Sequence, residues 1–446
     1  YQPTSHSGKA LAHILETFPR DELFQIEQSR LLEWADGILD LETRPRVRVF
    51  TRADEFDRFV SVMTYVPRDR FNTTNRSAIG EHLAEVFKGS VAAFFPYFPD
   101  GPLVRVQFII RREETQTPIV PHEQLEDNIR NIIRNWKDRL SDNLLSIDED
   151  VEAHRQNFLN AFSPGYRTNF SPERALDDIR HICKLNDQNP IDINFYQRAA
   201  DDDGQLRVAL YHLDSPIPLS QRVPIFENFG FSVIDERSFR LKPLVGGRRR
   251  QVCLHDMILE TGDDGRADLE THQQRLEACF LAVWQGKTAD DHFNRLISAV
   301  GVDWRQAALA RAYASFLKQI GTPFGPRSIS NALVRHAGIT RSLFDLFQLR
   351  FDPDDARPAE EKRRLADSVC TSIDAALADV PSLDEDRILR HCMNLILVRL
   401  RTNFFCRDTQ GAPPEAISLK FDSRKIDGAP APRPFAEIYV SAPRVE

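Results

Sequence analysis

An α+β fold is predicted, with two small helix-on-sheet layers joined, and then followed, by helical segments. Three features of the 446 residues point there. The apolar period switches twice from helical spacing to strand alternation and back. Turn residues punctuate each strand run. Beyond residue 269 the spacing stays helical for more than a hundred residues.

Residues 7–40 place Leu11, Ile14 and Leu15, then Leu23, Phe24 and Ile26, then Leu31, Leu32 and Leu39 at helical spacing. Pro19 interrupts them and predicts two helices joined by a bend. From Arg46 the period becomes two. Val47 and Val49, then Phe59, Val60, Val62 and Tyr65, flank a polar turn at 53–57 and read as a hairpin. A helix follows, capped at Asn72, Thr73 or Thr74, with Ile79, Leu83, Val86 and Phe87 inward and Gly89 closing it. Strand runs at 90–98 and 103–113 complete a helix-on-sheet layer.

Residues 121–187 return to helix in three pieces. Pro164–Gly165 breaks the second from the third, and Ser171-Pro172-Glu173 is a helix start with proline in the first turn. A second α+β layer comprises a strand at 206–213, a loop and short helix at 215–230, and strands at 231–241 and 251–260. Gly230 suits the left-handed helix end. Helical spacing then runs from Leu269 to about Asn403, and strands return from Ala416. The resulting segments are 1–41, 42–141, 142–189, 190–287, 288–415 and 416–446. No repeat at a fixed period is visible. Tyr1 in place of methionine, and a strand run that stops at 446 without a tail, suggest a stretch of a longer protein. Strand 435–441 is expected to fray or to pair with a neighbouring molecule.

Net charge is −8, from 66 acidic and 58 basic residues, which argues against a nucleic-acid binder. Arg248, Arg249 and Arg250 after two glycines read as a solvated turn. Six widely spaced cysteines without a C-x-x-C pair suggest reduced thiols in a cytoplasmic protein. No apolar run approaches a membrane span, and no signal-peptide profile opens the chain.

Catalytic motifs fail one by one. Gly286-Lys287-Thr288 lacks the earlier glycine of a phosphate loop, Leu281 standing there. No G-x-G-x-x-G follows a strand, no H-E-x-x-H or G-x-S-x-G is present, and His391–Cys392 are adjacent and so diverge on a helix. No catalytic, cofactor-binding or metal-ligating residue is assigned. Arg68, Asp69, Arg70 and Arg76 gather at a strand-to-helix junction, a candidate anion or interface loop. The plainer alternative is that Asp69 pairs with a neighbouring arginine and orders the loop.

Several long segments carry a family resemblance: "GKALAHILETFPRDELFQI" (8–26), "RFVSVMTYVPRDRFNT" (58–73), "PLSQRVPIFENFGFSVIDERSF" (218–239), "VDWRQAALARAYASFLKQIGTPF" (302–324), "LRTNFF" (400–405) and the tail 418–446. Collinear over nearly the whole chain, they resemble the large NAD-specific glutamate dehydrogenases of bacteria. The resemblance implies that the two α+β layers are ACT-like units, of the ferredoxin-like fold that senses amino acids, and that the last strands belong to a catalytic domain. It implies NAD as cofactor of the whole enzyme but not of this stretch, and the rest of the enzyme, other copies of it and an amino-acid effector as partners. No nucleic acid or membrane partner is implied. An ACT-like effector site near the first strand–helix loop maps to Asp214, Ser215, Ile217 and Leu219, with Asn228 and Gly230 at the helix end. A purely structural, ligand-free oligomerisation scaffold is the alternative.

Overall fold

The computed structural model describes residues 2, 5–112, 117–144, 156–198, 201–202, 204–261, 269–409 and 411–443. They form two compact bodies, Tyr1–Glu149 and Asp150–Glu446.

The first body opens with α1 (His6–Thr17), α2 (Arg20–Leu23) and α3 (Gln28–Thr43). Pro19 therefore precedes a separate short turn of helix where a simple bend was expected. Then come β1 (Arg48–Ala53), β2 (Phe59–Pro67), α4 (Thr73–Val86), β3 (Gly89–Tyr97), β4 (Leu103–Arg112), α5 (His122–Ile132) and α6 (Trp136–Leu144). The Asn72 side chain accepts from the Asn75 amide at 2.8 Å and so caps α4. Lys88, at φ 51°, takes the left-handed turn expected of Gly89. Gly89 is needed for a different reason: a Cβ there would lie 2.0 Å from the Arg111 carbonyl oxygen.

The sheet runs β1-β2-β4-β3, antiparallel throughout. One face packs Val60, Val62, Val104, Val106 and Phe108 against Ile79 and Leu83 of α4 and Leu125 and Ile129 of α5. The other face sets Phe50, Met63, Tyr65 and Leu103 against Ile14 of α1 and Trp34 and Ile38 of α3. Cover on both faces removes the alternation from the central strand β2, whose inner residues are all buried. Over β3 the second face stays open, and Phe95 is 56% exposed.

The second body begins with α7 (Pro164–Asn169), α8 (Pro172–Ile182), β5 (Ile191–Tyr196), β6 (Gln205–Leu213), α9 (Leu219–Asn228) and β7 (Phe231–Leu241). A small hairpin, β8 (Leu244–Val245) and β9 (Arg248–Arg249), precedes β10 (Val252–Thr261) and α10 (Leu269–Trp284). The sheet order β5-β6-β10-β7 repeats that of the first body. Both modules are thus ACT-like four-stranded sheets in the chain order ββαββα, the leading strand filling the edge that the last strand of a βαββαβ unit would occupy. β5 is absent from the sequence reading, which took the two layers to share only a coarse order.

A common device closes that leading edge. Glu126 of α5 accepts from the Val49 amide of β1 at 3.2 Å, and Glu277 of α10 accepts from the Phe195 amide of β5 at 3.1 Å. The opposite edge strands, β3 and β7, each carry a bulge, at Ala92 and Ile234. Carboxylate plugs and bulges both discourage stray strand pairing.

On the outer face of the second sheet a polar network ties α8 to the strands. Asp178, fully buried, accepts from the Tyr166 hydroxyl, from Tyr211 at 2.6 Å and from Arg174 Nη2 at 2.9 Å. The inner face packs on α9 and α10 and continues into the helical core. That core comprises α11 (Arg295–Val300), α12 (Trp304–Gln319), α13 (Pro326–Arg335), α14 (Ala337–Phe351), α15 (Ala359–Leu377) and α16 (Leu383–Leu397). Arg399, 2% exposed, lies there among the rings of Tyr313, Phe347 and Phe351 at 4.8, 4.5 and 4.9 Å.

A last antiparallel sheet joins β11 (Arg399–Thr402), β12 (Ile417–Phe421) and β13 (Glu437–Ser441). β11 falls inside the run read as helix to about 403. β13, expected to fray, pairs with β12 from Ile417↔Ser441 to Phe421↔Glu437, and Tyr439 packs against Phe316 at 5.3 Å. Satisfied ladder bonds and an aromatic anchor hold it within the chain. Among the described residues no helix is long and apolar enough to cross a membrane.

Candidate functional site

The loop from β6 into α9 carries most of the residues singled out in the sequence. Asp214 takes φ 65° and pairs with Arg250, whose guanidinium holds its carboxyl below the usual range. The Ser215 carbonyl faces His212 Nδ1 at 2.7 Å. Ile217 is buried in the core, and Leu219, opening α9, faces solvent. At the far end Asn228 donates to Asp290 at 2.9 Å, and Gly230 takes φ 90° with the Arg295 side chain close above it. The structure therefore keeps Asp214–Leu219 as one loop and sets Asn228 and Gly230 at the opposite end of a ten-residue helix.

Beneath the loop lies a polar cluster that the sequence did not reveal. His255 of β10, nearly fully buried, accepts from the Ile217 amide through Nε2 at 3.3 Å. That bond leaves the proton on Nδ1, 3.0 Å from Glu236 Oε1 and 2.8 Å from Ser238 Oγ. Ser238 donates to Glu236 at 2.7 Å. Buried Arg222 of α9 pairs with Glu236 and also donates to the Ile217 carbonyl. Burial, then Arg222, lowers the His255 pKa, while Arg222 and Ser238 outweigh burial and lower that of Glu236. Arg222 Nε and Glu236 Oε2 bond to no protein group. The four residues are scattered over 34 positions, and only their alternation within strands hints at a shared face.

The arginine-rich turn of the first body is used locally. Arg70 pairs with Asp69 at 3.1 Å and with Asp138 of α6. Arg68 donates to the Pro99 carbonyl, and Arg76 lies 4.0 Å over the Phe94 ring. These three arginines turn to different partners, and in the first turn of α4 the Asn75 amide is served by Asn72. Among the described residues no three His, Cys, Asp or Glu side chains are grouped to hold a metal. Every described strand pairing is antiparallel, so no described parallel strand and glycine-rich turn offers NAD its phosphate cradle.

Comparison with known proteins bears on these modules directly. Family models match for glutamate dehydrogenase ACT2 domain over residues 48–137 and ACT3 domain over 190–272. Those for helical motifs 1, 2 and 3 match 1–44, 149–185 and 288–353. That for the catalytic domain of bacterial NAD-glutamate dehydrogenase matches 372–446, starting within α15. The chain is 36% identical over 448 residues to the NAD-specific glutamate dehydrogenase of Halomonas elongata, covering 100% of this chain and 27% of that protein. It is 36% identical over 450 residues to the Pseudomonas aeruginosa protein of that name, and 31% over 461 to the Mycobacterium tuberculosis one. These alignments cover 100% and 99% of this chain, and 28% of each relative. The chain thus spans little more than a quarter of these relatives, and along its length it is similar to the bacterial NAD-specific glutamate dehydrogenases.

Proposed function

We propose that this stretch regulates and assembles an NAD-dependent glutamate dehydrogenase and carries no chemistry of its own. The whole enzyme would convert L-glutamate, NAD and water to 2-oxoglutarate, ammonia and NADH in the cytoplasm, as a homo-oligomer. The observation that carries the reading is the pair of ACT-like modules, each braced by helices on both faces. In the second module the β6–α9 loop rests on Arg222, Glu236 and His255, so an amino acid engaging Asp214–Leu219 would press on groups that also fix β7 and β10. To regulate, such an effector must bind one state of the assembly better, typically by ~1–3 kcal/mol.

The scaffold reading has its own support. The Ile217 amide, which a ligand carboxylate could use, already serves His255. A thermal-shift screen of the chain against the twenty amino acids, 2-oxoglutarate and NAD separates the readings. A ligand at ~100 times its dissociation constant adds about 2.7 kcal/mol, a shift of several degrees. Stabilisation by an amino acid and not by NAD supports the sensory role. No response from any amino acid favours the scaffold, and stabilisation by NAD overturns the assignment of the chemistry to other parts of the enzyme.

A further inference from the structure

The uncovered part of the first sheet is a cleft of about 590 Å³. Its floor consists of the cross-strand pairs Ala93–Ile109, Phe95–Gln107 and Tyr97–Arg105. Phe59, Asp21, Glu22 and Gln25 also line it. The buried charges on this floor do not cancel. Glu22 and Arg52 form a buried pair, and Gln107 donates to Glu22 at 3.2 Å and to Ser61 at 3.0 Å.

Arg105 is different. It is 8% exposed, yet among the described residues no carboxylate lies within 4.0 Å of it. Its neighbours are the Tyr97 ring, 4.4 Å from Cζ, and the Tyr65 hydroxyl, which burial pushes up to about 12 with Arg105 offsetting part of the rise. Arg105 and Tyr97 also line a second cavity of about 270 Å³, so the guanidinium stands between two open volumes. A buried cation set beside an aromatic ring and one hydroxyl, with no carboxylate next to it, still carries its full charge, and the chemistry that satisfies a guanidinium fork is a carboxylate.

We propose that this cleft binds a small organic carboxylate bearing an apolar group, its carboxylate on Arg105 and its apolar part on Phe95, Ile109 and Phe59. The apolar strip beside one unmatched cation excludes a sugar or a polyanion as the fitting class. A 2-amino acid and a 2-oxo acid share the required chemistry. The acidic rim at Asp21 would discriminate for the first. This site lies on a different module from the β6–α9 loop and stands independently of the reading given for it.

Calorimetric titration of the whole chain tests the proposal with L-phenylalanine, phenylpyruvate and, as a control without a carboxylate, L-phenylalaninamide. Saturable binding of at least one carboxylate is expected, with the amide bound at least tenfold more weakly. Arg105→Met should weaken binding roughly ten- to hundredfold, the scale of a charged hydrogen bond, and Arg105→Lys by less. Phe95→Asp, on an exposed position that leaves folding intact, should also abolish it. Tighter binding of phenylalanine than of phenylpyruvate identifies the amino acid as the source, and the reverse order the oxo acid. The proposal fails if neither carboxylate binds. It fails equally if both variants bind as the native chain does, an outcome that moves the ligand elsewhere and leaves the effector reading standing.

Discussion

Removing the Asp178 carboxylate should unlock α8 from the second sheet. Asp178 accepts from two tyrosine hydroxyls and from Arg174, whose guanidinium lies 3.6 Å over the Tyr196 ring. Deleting one partner of a buried ion pair costs about 3–5 kcal/mol, because the other charge stays buried without compensation. Each orphaned hydroxyl adds roughly 1 kcal/mol, tempered by relaxation. Asp178→Ala should therefore lose about 5 kcal/mol, the lower end of the roughly 5–7 kcal/mol sum once the site relaxes. At ~2–4 °C per kcal/mol for a body of this size, its transition should fall by roughly 10–20 °C. Asp178→Asn retains an acceptor for the tyrosines and should lose about half as much. Replacing both charges, as Arg174→Met with Asp178→Leu, should return to within ~2 kcal/mol of the native protein, since an apolar pair carries no desolvation cost and only the two tyrosine hydroxyls lack their acceptor. Urea unfolding followed by near-ultraviolet circular dichroism reads all three. A loss below 1 kcal/mol in Asp178→Ala, or a double variant no better than the single, would refute this account.

Three further outcomes are expected. Arg399, whose three guanidinium nitrogens bond to no protein group, is replaced by methionine with a gain of about 1–3 kcal/mol once lost ring contacts are deducted; a lower melting temperature would show that the cation is needed. Glu126→Ala orphans the Val49 amide and should cost the first body about 2–3 kcal/mol, with light scattering reporting new association. His255 has its pKa lowered in the folded chain, so the unfolded chain binds more protons near its unfolded value of ~6.5. Its contribution is complete above that pH and declines as pH falls through it. Protonation also removes the acceptor for the Ile217 amide. The urea midpoint of the native chain should fall more steeply than that of His255→Gln between pH 7.5 and 5.5, and parallel curves would count against the assignment.

Local signals carried much of the fold. Asn72 and Ser171 cap the helices they were expected to start, Gly230 takes its left-handed turn, and the hairpins lie where turn residues divide β-branched runs. β5 escaped notice because its six residues follow asparagines and proline and alternate Asp192, Asn194 and Tyr196 with apolar residues too briefly to register. The loop 214–219 was legible from its prolines. Its support was not, since Arg222 lies on α9, Glu236 and Ser238 on β7 and His255 on β10, and they meet only through the register of β7 and β10 and the packing of α9 on them. The arginine turn at 68–76 advertised charge, but the sequence could not show that Asp138, 68 positions away from Arg70, would claim it.

The matching glutamates of α5 and α10, which accept from β1 and β5, limit how these modules can grow. In the language of polymer chemistry, a sheet stoppered along one side is a monofunctional monomer: a strand added at β3 or β7 is the last one it can accept. The two stoppered sheets together offer a valence of at most two edges for strand pairing, which allows linear association through them and forbids branching there. Losing Glu126 or Glu277 would raise that valence by one, turning a terminator into a propagating end.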